Sequence, residues 1–322
     1  MTKKLPPSRY PGGASIMPLK TRHLQLFAQL YEHRSVMHAA TAANMTQPAA
    51  SKLLAEMENL LGVPLFERHA RGIEPTLYAD ALARRARSAL SELERARDEI
   101  RMLRHGRLGQ AAIGTVVNPG TNLVPKAIAA VKQAAPDILI RVEMDASRPL
   151  VAKLLEGRLD IVIGRIMDPE LGADLEFEAL ADEPHAVIAR AGHPLVGSRI
   201  RYEDLAGFGW IMPPDSSMLR ARLGAVFLDH GMPWPQNVIE TSALPVITAL
   251  LGDADFLTTL PARSVAPYLT SGQLVVLPID LGVRMDDFGI IRARHQRLSP
   301  AAERVLDALR KVARELYPEP TE

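Results

Sequence analysis

Apolar side chains recur every three or four residues through the first part of the chain, and this spacing predicts short amphipathic helices. The first helix ends near His33, and its apolar residues are Leu24, Phe27, Leu30 and Tyr31. A second helix begins at Val36 and carries the small pair Ala39 and Ala40, which lets another helix cross closely. These two helices are therefore expected to brace a third.

The third helix opens with the segment Thr46-Gln47-Pro48-Ala49-Ala50-Ser51. Thr46 is a favourable N-cap residue, and Pro48 is tolerated in the first turn because the N–H groups there have no partner inside the helix. Gln47, Ser51 and Lys52 can hydrogen-bond to bases or phosphates. The second and third helices therefore predict a helix-turn-helix whose last helix reads DNA.

A short basic segment over residues 65–76 follows Gly62 and Pro64, which stop the third helix, and predicts a two-stranded wing. Thr76 then caps a helix that continues without proline or glycine to about His105, a length of about 45 Å. Its apolar residues form a heptad seam flanked by charges, which favours dimerisation. The seam consists of Leu82, Ala86, Ala89, Leu93, Ala96, Ile100 and Leu103.

Beyond Gly109, short apolar runs alternate with helical patterns, which predicts an α/β body with largely parallel sheets. Ligands of such sheets lie beyond the carboxyl ends of the strands. The length suggests two subdomains with a cleft between them. The chain passes from the first to the second near Leu180 and returns near Val283. The strand candidates span residues 111–117, 138–144, 159–164, 185–189, 210–212, 238–241, 256–260, 274–278 and 288–293.

The predicted fold class is a multidomain α+β protein with a winged helix-turn-helix, a long linker helix and a two-subdomain α/β domain of the periplasmic-binding-protein type. A disordered extension, in which Met17 is an alternative start, is expected over residues 1–18. The helix-turn-helix domain is assigned to residues 19–76, the linker helix to 77–106 and the effector-binding domain to 107–322. Within the last, subdomain I takes residues 107–180 and 284–322, and subdomain II takes 181–283.

The overall composition of the chain is ordinary, but its two parts differ in net charge. The 322 residues are 47% hydrophobic and 23% charged, which is ordinary for a globular protein. Residues 1–108 hold 17 Lys and Arg against 10 Asp and Glu, a net charge of +7, and the remainder has 21 against 27, a net charge of −6. A basic head on an acidic body is typical of nucleic-acid binding, although solvated helix faces explain part of the excess.

The chain has no cysteine, which excludes disulfides and thiol nucleophiles. It also lacks an apolar run long enough to span a membrane and an apolar core for a secretory signal. We therefore expect a cytoplasmic protein without membrane contact.

In this order of segments the chain resembles the LysR-type transcriptional regulators (LTTRs) over residues 19–316. The motifs that carry the resemblance are Ala39-Ala40, Thr46 to Ser51, Leu60-Leu61-Gly62-Val63-Pro64-Leu65-Phe66-Glu67-Arg68 and Pro75-Thr76. Ala43, Pro75 and Ala79 depart from the residues common in the family, without removing DNA-contacting groups. Residues 184–195 and 210–227 look like the branch that responds to sugars or to acids of aromatic catabolism.

The resemblance implies a ligand-responsive regulator that binds an interrupted palindrome in double-stranded promoter DNA. It also implies that the bend or spacing on DNA shifts when a small molecule enters the cleft. It also implies a homodimer through the linker helix or a homotetramer, with RNA polymerase as a further partner and no cofactor or metal.

For DNA contact we select the exposed polar residues of the helix-turn-helix and the wing. Glutamine can pair with adenine, proline and methionine can touch a thymine methyl group, and a wing arginine can enter a minor groove. The candidates are Met37, His38, Thr46, Gln47, Pro48, Ser51, Lys52, Arg68 and Arg71. The alternatives are simple capping for Thr46 and a solvated loop for the two arginines.

For the effector we select polar turns that precede helices, where free N–H groups attract a carboxylate or phosphate. The candidates are Thr115, Asn118, Ser147, Ser216, Ser217, Arg220, Thr241 and Ser242. Asn118, Ser147 and Thr241 also match turns that hold ligands in the family. Each could instead be an ordinary cap or turn, and Arg220 an ordinary surface arginine.

Two other classes of protein remain alternatives, namely a metabolite-binding protein and an enzyme on the same fold. The sequence has no phosphate-binding glycine loop, no zinc motif and no nucleophile turn. His185, His193 and the pair Asp286-Asp287 lack partners at catalytic or metal spacing, so we expect loop or surface roles for them. Catalysis is not expected.

Overall fold

The computed structural model describes residues 19–69, 72–104, 109–215 and 217–318. The chain divides into two compact units, residues 1–97 and residues 98–322, and each is described by itself. Within these ranges no helix is both long and apolar enough to cross a membrane.

The first unit contains the three short helices, the wing and the start of the linker helix, as predicted. Its elements are α1 (Thr21–His33), α2 (Val36–Ala42), α3 (Gln47–Leu61), β1 (Phe66–His69), β2 (Gly72–Pro75) and α4 (Leu77–Arg104). Ala39 and Ala40 are buried between the helices, which confirms the close crossing. Ala50, Leu54 and Met57 form the buried face of α3. The opposite face of α3 is left to solvent.

Main-chain contacts hold the wing against the end of α1. Arg34 ends α1 in the left-handed conformation with φ of 52°, and its carbonyl oxygen accepts a hydrogen bond from the Ile73 N–H at 3.1 Å. Gly72 has φ of 143°, and a Cβ atom there would lie 2.6 Å from the same carbonyl oxygen. Any larger residue at position 72 would therefore push the wing away from α1.

The second unit contains the remaining strands and helices. The strands are β3 (Gln110–Thr115), β4 (Leu139–Met144), β5 (Ile161–Gly164), β6 (Leu175–Pro184), β7 (Ala186–Arg190), β8 (Gly209–Met212), β9 (Val238–Glu240), β10 (Phe256–Leu260), β11 (Leu274–Val276) and β12 (Arg284–Ala293). The helices are α5 (Val117–Thr121), α6 (Leu123–Ala134), α7 (Ser147–Leu155), α8 (Tyr202–Leu205), α9 (Met218–Asp229), α10 (Leu244–Asp253), α11 (Ala266–Thr270) and α12 (Pro300–Leu316). Short 3₁₀ helices lie at Pro169–Ala173 and Ala262–Val265.

These strands form two five-stranded sheets, in the orders β4-β3-β5-β12-β6 and β11-β7-β10-β8-β9. In the first sheet β3 is parallel to β4 and β5, and in the second β8 is parallel to β9 and β10. Helices α6 and α12 cover one face of the first sheet and share its main hydrophobic core. The carboxyl ends of each parallel set lead into the polar turns that the sequence marks as effector candidates.

The expectation of largely parallel sheets is wrong, because β12 is antiparallel to β5 and β6, and β7 is antiparallel to β10 and β11. The sequence analysis also missed β6. Its residues are rich in Glu, Ala and Asp, which are disfavoured in strands, and it lies at the edge of its sheet. Pairing with the distant β12, and not local pattern, makes this segment a strand.

Candidate functional sites

Most of the residues selected for DNA contact are exposed in the first unit. Thr46, Gln47, Pro48 and Lys52 are exposed at the start of α3, and Ser51 is half-buried. Met37 and His38 are exposed on α2, with Met37 57% accessible. Arg68 is exposed on β1, and Arg71 lies outside the described residues.

Thr46 occupies the N-cap position of α3, but its side chain makes no capping hydrogen bond. The expectation that it caps the helix with its hydroxyl group is therefore wrong. Pro48 lies in the first turn, as predicted. The Thr46 hydroxyl group is left available for a phosphate oxygen.

Glu58, which the sequence analysis did not select, ties the wing to the reading helix. Its Oε1 accepts hydrogen bonds from the main-chain N–H groups of Leu65 at 2.8 Å and Phe66 at 3.2 Å. Thr76 completes the attachment by donating its hydroxyl group to the Pro64 carbonyl oxygen at 2.8 Å. The wing is thereby fixed at both of its ends relative to α3.

The seam of α4 divides between two surroundings. Ala86 is buried in the core of the first unit, and Leu82 packs against the same core. Farther along the helix, Ala89 and Ala96 are exposed, and so are two larger apolar side chains of the same seam. These are Leu93 at 53% and Ile100 at 62% exposure. The side chain of Leu103 lies outside the described residues.

At the carboxyl edge of the first sheet, the structure brings Ser147 next to Arg165. Ser147 begins α7, and its Oγ accepts a hydrogen bond from the Arg165 main-chain N–H at 3.0 Å. Thr115 is fully buried, with its hydroxyl group donated to the Val116 carbonyl oxygen. Thr115 is therefore not accessible to a ligand in this structure, which contradicts its selection as a direct contact.

At the carboxyl edge of the second sheet, Ser217 caps α9 by accepting a hydrogen bond from the Leu219 N–H. Thr241 Oγ1 accepts a hydrogen bond from Ala243 N–H, and Ser242 is exposed beside it. Ser216 lies outside the described residues. The turns before α9 and α10 thus have their expected positions, although Ala243, and not Thr241, is the N-cap residue of α10.

Arg220 is not an ordinary surface arginine. Its side chain is only 14% exposed, and its Nε lies 3.3 Å from Asp215 Oδ1. The guanidinium carbon lies 4.6 Å from the centre of the Trp234 ring. Among the described residues, no group accepts a hydrogen bond from its buried Nη1. A buried guanidinium donor with a spare N–H group is suited to an anionic ligand.

A hydrogen bond between Asn118 and Ser264 joins a turn after the first sheet to a turn after the second sheet. Asn118 follows β3 and is 5% exposed, whereas Ser264 belongs to the 3₁₀ turn that follows β10. Asn118 Oδ1 accepts hydrogen bonds from Ser264 Oγ at 3.2 Å and from Asn122 Nδ2 at 3.0 Å. Asn118 therefore lies where a turn after a strand of the first sheet meets a turn after a strand of the second sheet.

Asn118 also borders a cavity of about 980 Å³, and the other effector candidates that the structure describes do not line it. Its wall includes Leu180, His185, Arg263, Val283 and Tyr317. Burial raises the pKa of Tyr317 to about 12, and its hydroxyl group donates to Asn122 Oδ1 at 2.8 Å. No local pattern in the sequence predicts this cavity, because its walls come from segments far apart in the chain.

His185 and His193 lie in loops, as expected, but both residues are buried, so only the surface part of the expectation is wrong. Desolvation lowers the pKa of each imidazole below its usual value of 6.5. His185 donates its Nδ1–H to the Glu183 carbonyl oxygen at 3.0 Å, and His193 Nδ1 accepts a hydrogen bond from the Leu195 N–H. Both rings are therefore part of the folded interior as neutral groups.

We expect the second unit to lose stability as the pH falls from about 7 to about 5. The unfolded chain binds protons on these histidines at a higher pH than the folded chain does, so their stabilising contribution is complete above pH 6.5 and declines below it. The double variant His185→Asn/His193→Asn should lose less stability over this interval. The comparison is made by urea unfolding followed by tryptophan fluorescence.

The exposed His295 supplies the control, since His295→Asn should leave the pH dependence unchanged. If the double variant loses as much stability on acidification as the unmodified protein, the buried histidines do not cause the acid sensitivity.

Between the two sheets lies a network of charged side chains. Arg165 Nη2 donates to Glu183 Oε2 at 2.6 Å, and Arg165 Nε donates to the Asp286 carbonyl oxygen at 2.6 Å. Arg222 of α9 donates to Asp286 Oδ1 at 2.8 Å. Asp286, on β12 of the first sheet, therefore connects this sheet to α9. The sequence pattern does not predict this structural role.

A winged helix-turn-helix followed by a long helix and a two-sheet α/β body defines a DNA-binding transcriptional regulator with an effector-binding domain. The bacterial regulatory helix-turn-helix family of the LysR type matches residues 21–80, and the LysR substrate binding domain family matches residues 104–314. The chain belongs to the LysR family of transcriptional regulators. This family consists of regulators and not of enzymes.

Similar proteins agree with this assignment. The transcriptional regulator GbpR of Azospirillum brasilense is 37% identical over 308 residues, which cover 94% of this chain and 90% of GbpR. PcaQ of Agrobacterium fabrum is 28% identical over 94% of this chain and 98% of PcaQ. The full-length LTTR LysG of Corynebacterium glutamicum, solved with bound effector Arg, has the same fold, with a TM-score of 0.59 and 16% identity over 92% of this chain and 99% of LysG.

Proposed function

We propose that the protein is a homodimer that binds an interrupted palindrome in promoter DNA and changes its DNA contacts when a small metabolite enters the cleft between two subdomains. The observation that carries the proposal is the accessible start of α3, where Gln47 and Lys52 are exposed and Ser51 is half-buried, on a helix whose other face packs in the core. Residues positioned in this way can reach base edges and phosphates in a major groove.

The exposed seam of α4 supports dimerisation. Leu93 and Ile100 lie seven residues apart on one helix and are more than half exposed. Apolar residues at heptad spacing are covered when two such helices pair. Pairing would place two reading helices on two half-sites, and a tetramer, with contact to RNA polymerase, would extend the same arrangement.

The effector is proposed to lie between subdomain I, residues 107–180 and 284–322, and subdomain II, residues 181–283. Its proposed contacts are Asn118, Ser147, Ser217, Arg220, Thr241 and Ser242, together with Ser216, which precedes Ser217 in the sequence. The spare N–H group of Arg220 favours an acid, and the hydroxyl and amide groups suit a hydroxylated ligand such as a sugar. The similarity to GbpR and PcaQ supports a ligand-responsive regulator.

Footprinting on the DNA that flanks the protein's own gene tests this proposal, with and without a panel of sugars and aromatic acids. We expect protection of an interrupted palindrome and a changed footprint with one class of compound. In sedimentation, the protein should have at least twice the 35.2 kDa mass of the chain. Absence of protection at any moderate salt concentration, or a monomer bound to one half-site, would contradict the proposal.

A further inference from the structure

Four side chains of the first unit meet around the ring of Tyr31, near the last turn of α1 and the first turns of α4. We call Tyr31, Arg34, Asp80 and Arg87 the Tyr31 cluster. We propose that the Tyr31 cluster fixes the direction in which α4 leaves the reading head, and so determines which separation of two DNA half-sites the dimer accepts. This inference rests on the proposed dimer.

The first contact of the cluster joins α1 to the start of α4. The Tyr31 hydroxyl group donates a hydrogen bond to Asp80 Oδ1 at 2.8 Å. Donation to this carboxylate raises the pKa of Tyr31 above its usual value of 10.0, because the hydrogen bond stabilises the protonated hydroxyl group. Asp80 lies in the first turn of α4, and its main-chain N–H donates to the Thr76 carbonyl oxygen.

The second contact lies farther along α4. The Arg87 guanidinium carbon is 5.4 Å from the centre of the Tyr31 ring. Asp80 and Arg87 are seven residues apart, so they lie on the same side of the helix about two turns from each other. A helix held at one point can pivot, whereas a helix held at two points along its length has a fixed direction.

The third contact connects the cluster to the wing. The Arg34 guanidinium carbon lies 4.4 Å from the centre of the Tyr31 ring. The main chain of the same residue accepts the hydrogen bond from Ile73 of β2. Tyr31 is therefore linked to the wing through Arg34 and to α4 through Asp80 and Arg87.

The buried face of α4 has few features that would fix its direction without these contacts. Among the described side chains of α4 in the first unit, those of Ala79, Ala83 and Ala86 are buried, and the partly buried Leu82 packs against the same core. Methyl groups form a shallow surface that interlocks with a neighbour less than larger side chains do. The polar and aromatic contacts of Tyr31 therefore supply the angular restraint, and its residues act as positioning residues.

The test measures binding of the full-length protein to its footprinted operator and to versions with one to three base pairs inserted between the half-sites. A duplex with a single half-site is measured in parallel. For the unmodified protein, each insertion should weaken binding. In Tyr31→Phe and Asp80→Ala, we expect the penalty of one inserted base pair to shrink by about three- to tenfold, which is what one accessible hydrogen bond contributes. Affinity for the single half-site should not change.

Two controls separate positioning from other effects. Asp80→Asn keeps an oxygen that can accept the Tyr31 hydrogen bond and should retain the spacing preference. Tyr78→Phe removes the same hydroxyl atom from an exposed tyrosine of the same helix and should also retain it.

Unchanged spacing curves in Tyr31→Phe and Asp80→Ala would overturn the inference and leave the dimer standing. An equal loss on single and double half-sites would also overturn it, since that result assigns the cluster to phosphate contact. If the unmodified protein has no spacing preference, the proposed dimer itself is wrong, and this inference is overturned with it.

Discussion

Replacing Arg165 by methionine is expected to lower the free energy of unfolding of the second unit by about 3 to 5 kcal/mol, the usual cost of removing one partner from a buried ion pair. The Arg165 and Glu183 side chains are 8% and 7% exposed and lie 2.6 Å apart. Without Arg165, the Glu183 carboxylate is buried without this partner, and the Asp286 carbonyl oxygen loses a donor. Urea unfolding of the full-length chain measures the change.

Tryptophan fluorescence reports this unit selectively, because the two tryptophans of the chain, Trp210 and Trp234, both belong to it. Arg292→Met provides a matched control. Arg292 pairs with Glu176 at 2.5 Å between β12 and β6, but these side chains are 30% and 39% exposed. Its loss should cost about 1 kcal/mol or less, since water and salt screen exposed pairs.

The double variant Arg165→Met/Glu183→Leu isolates the cost of the unpaired charge. Replacing both partners with apolar residues removes that charge, so most of the stability should return. If Arg165→Met costs no more than Arg292→Met, or if the double variant is as unstable as the single one, the interpretation of a desolvated pair is wrong.

Replacing Gln47 and Ser51 with alanine is expected to reduce discrimination between operator and random DNA by about 1 to 3 kcal/mol for each side chain that reads a base. Both side chains lie at the start of α3, while the buried face of this helix is formed by other residues. The fold should therefore be unaffected. Fluorescence anisotropy with operator and scrambled duplexes at fixed salt measures the ratio of the two affinities.

Two comparisons make this result specific. Lys52→Ala should weaken binding to both duplexes similarly and reduce the salt dependence by about one counterion, as expected for a phosphate contact. Gln25→Ala removes an exposed glutamine from α1 and should change neither affinity. Specificity that survives the replacement of both Gln47 and Ser51 would show that base contacts come from elsewhere on the head.

The helix-turn-helix and the wing could be predicted from the sequence, because the residues that start and stop their elements are close together in the chain. The bounds of α3 follow from Thr46, from Pro48 in the first turn and from Gly62, which ends the helix with φ of 71°. The wing was equally evident from its turn and its basic residues. Glu58 was missed because it acts through its carboxylate on main-chain N–H groups seven and eight residues away, and such a contact leaves no periodic signal.

The second unit was harder to predict, because its important contacts join segments that are far apart in the chain. Arg165 and Glu183 are separated by 18 residues, and Asn118 and Ser264 by 146. Polar turns before helices can be recognised locally, so the positions of Asn118 and Ser147 at such turns could be predicted, and their contact with an effector stays a prediction. Whether a hydroxyl group faces solvent or the interior depends on the sheet above it, and for this reason Thr115 was selected although it is buried.

At the proposed effector site, the hydrogen bond between Asn118 and Ser264 would make ligand entry a competition. An amide oxygen has two lone pairs, and both of those on Asn118 Oδ1 are occupied, by Ser264 and by Asn122. A ligand that donates a hydrogen bond to this oxygen must displace one of them. Displacing Ser264 removes this hydrogen bond between the turn after β10 and the turn after β3, so a hydroxylated ligand at the proposed site would exchange one internal bond for its own, while Arg222 and Asp286 would still join α9 to the first sheet.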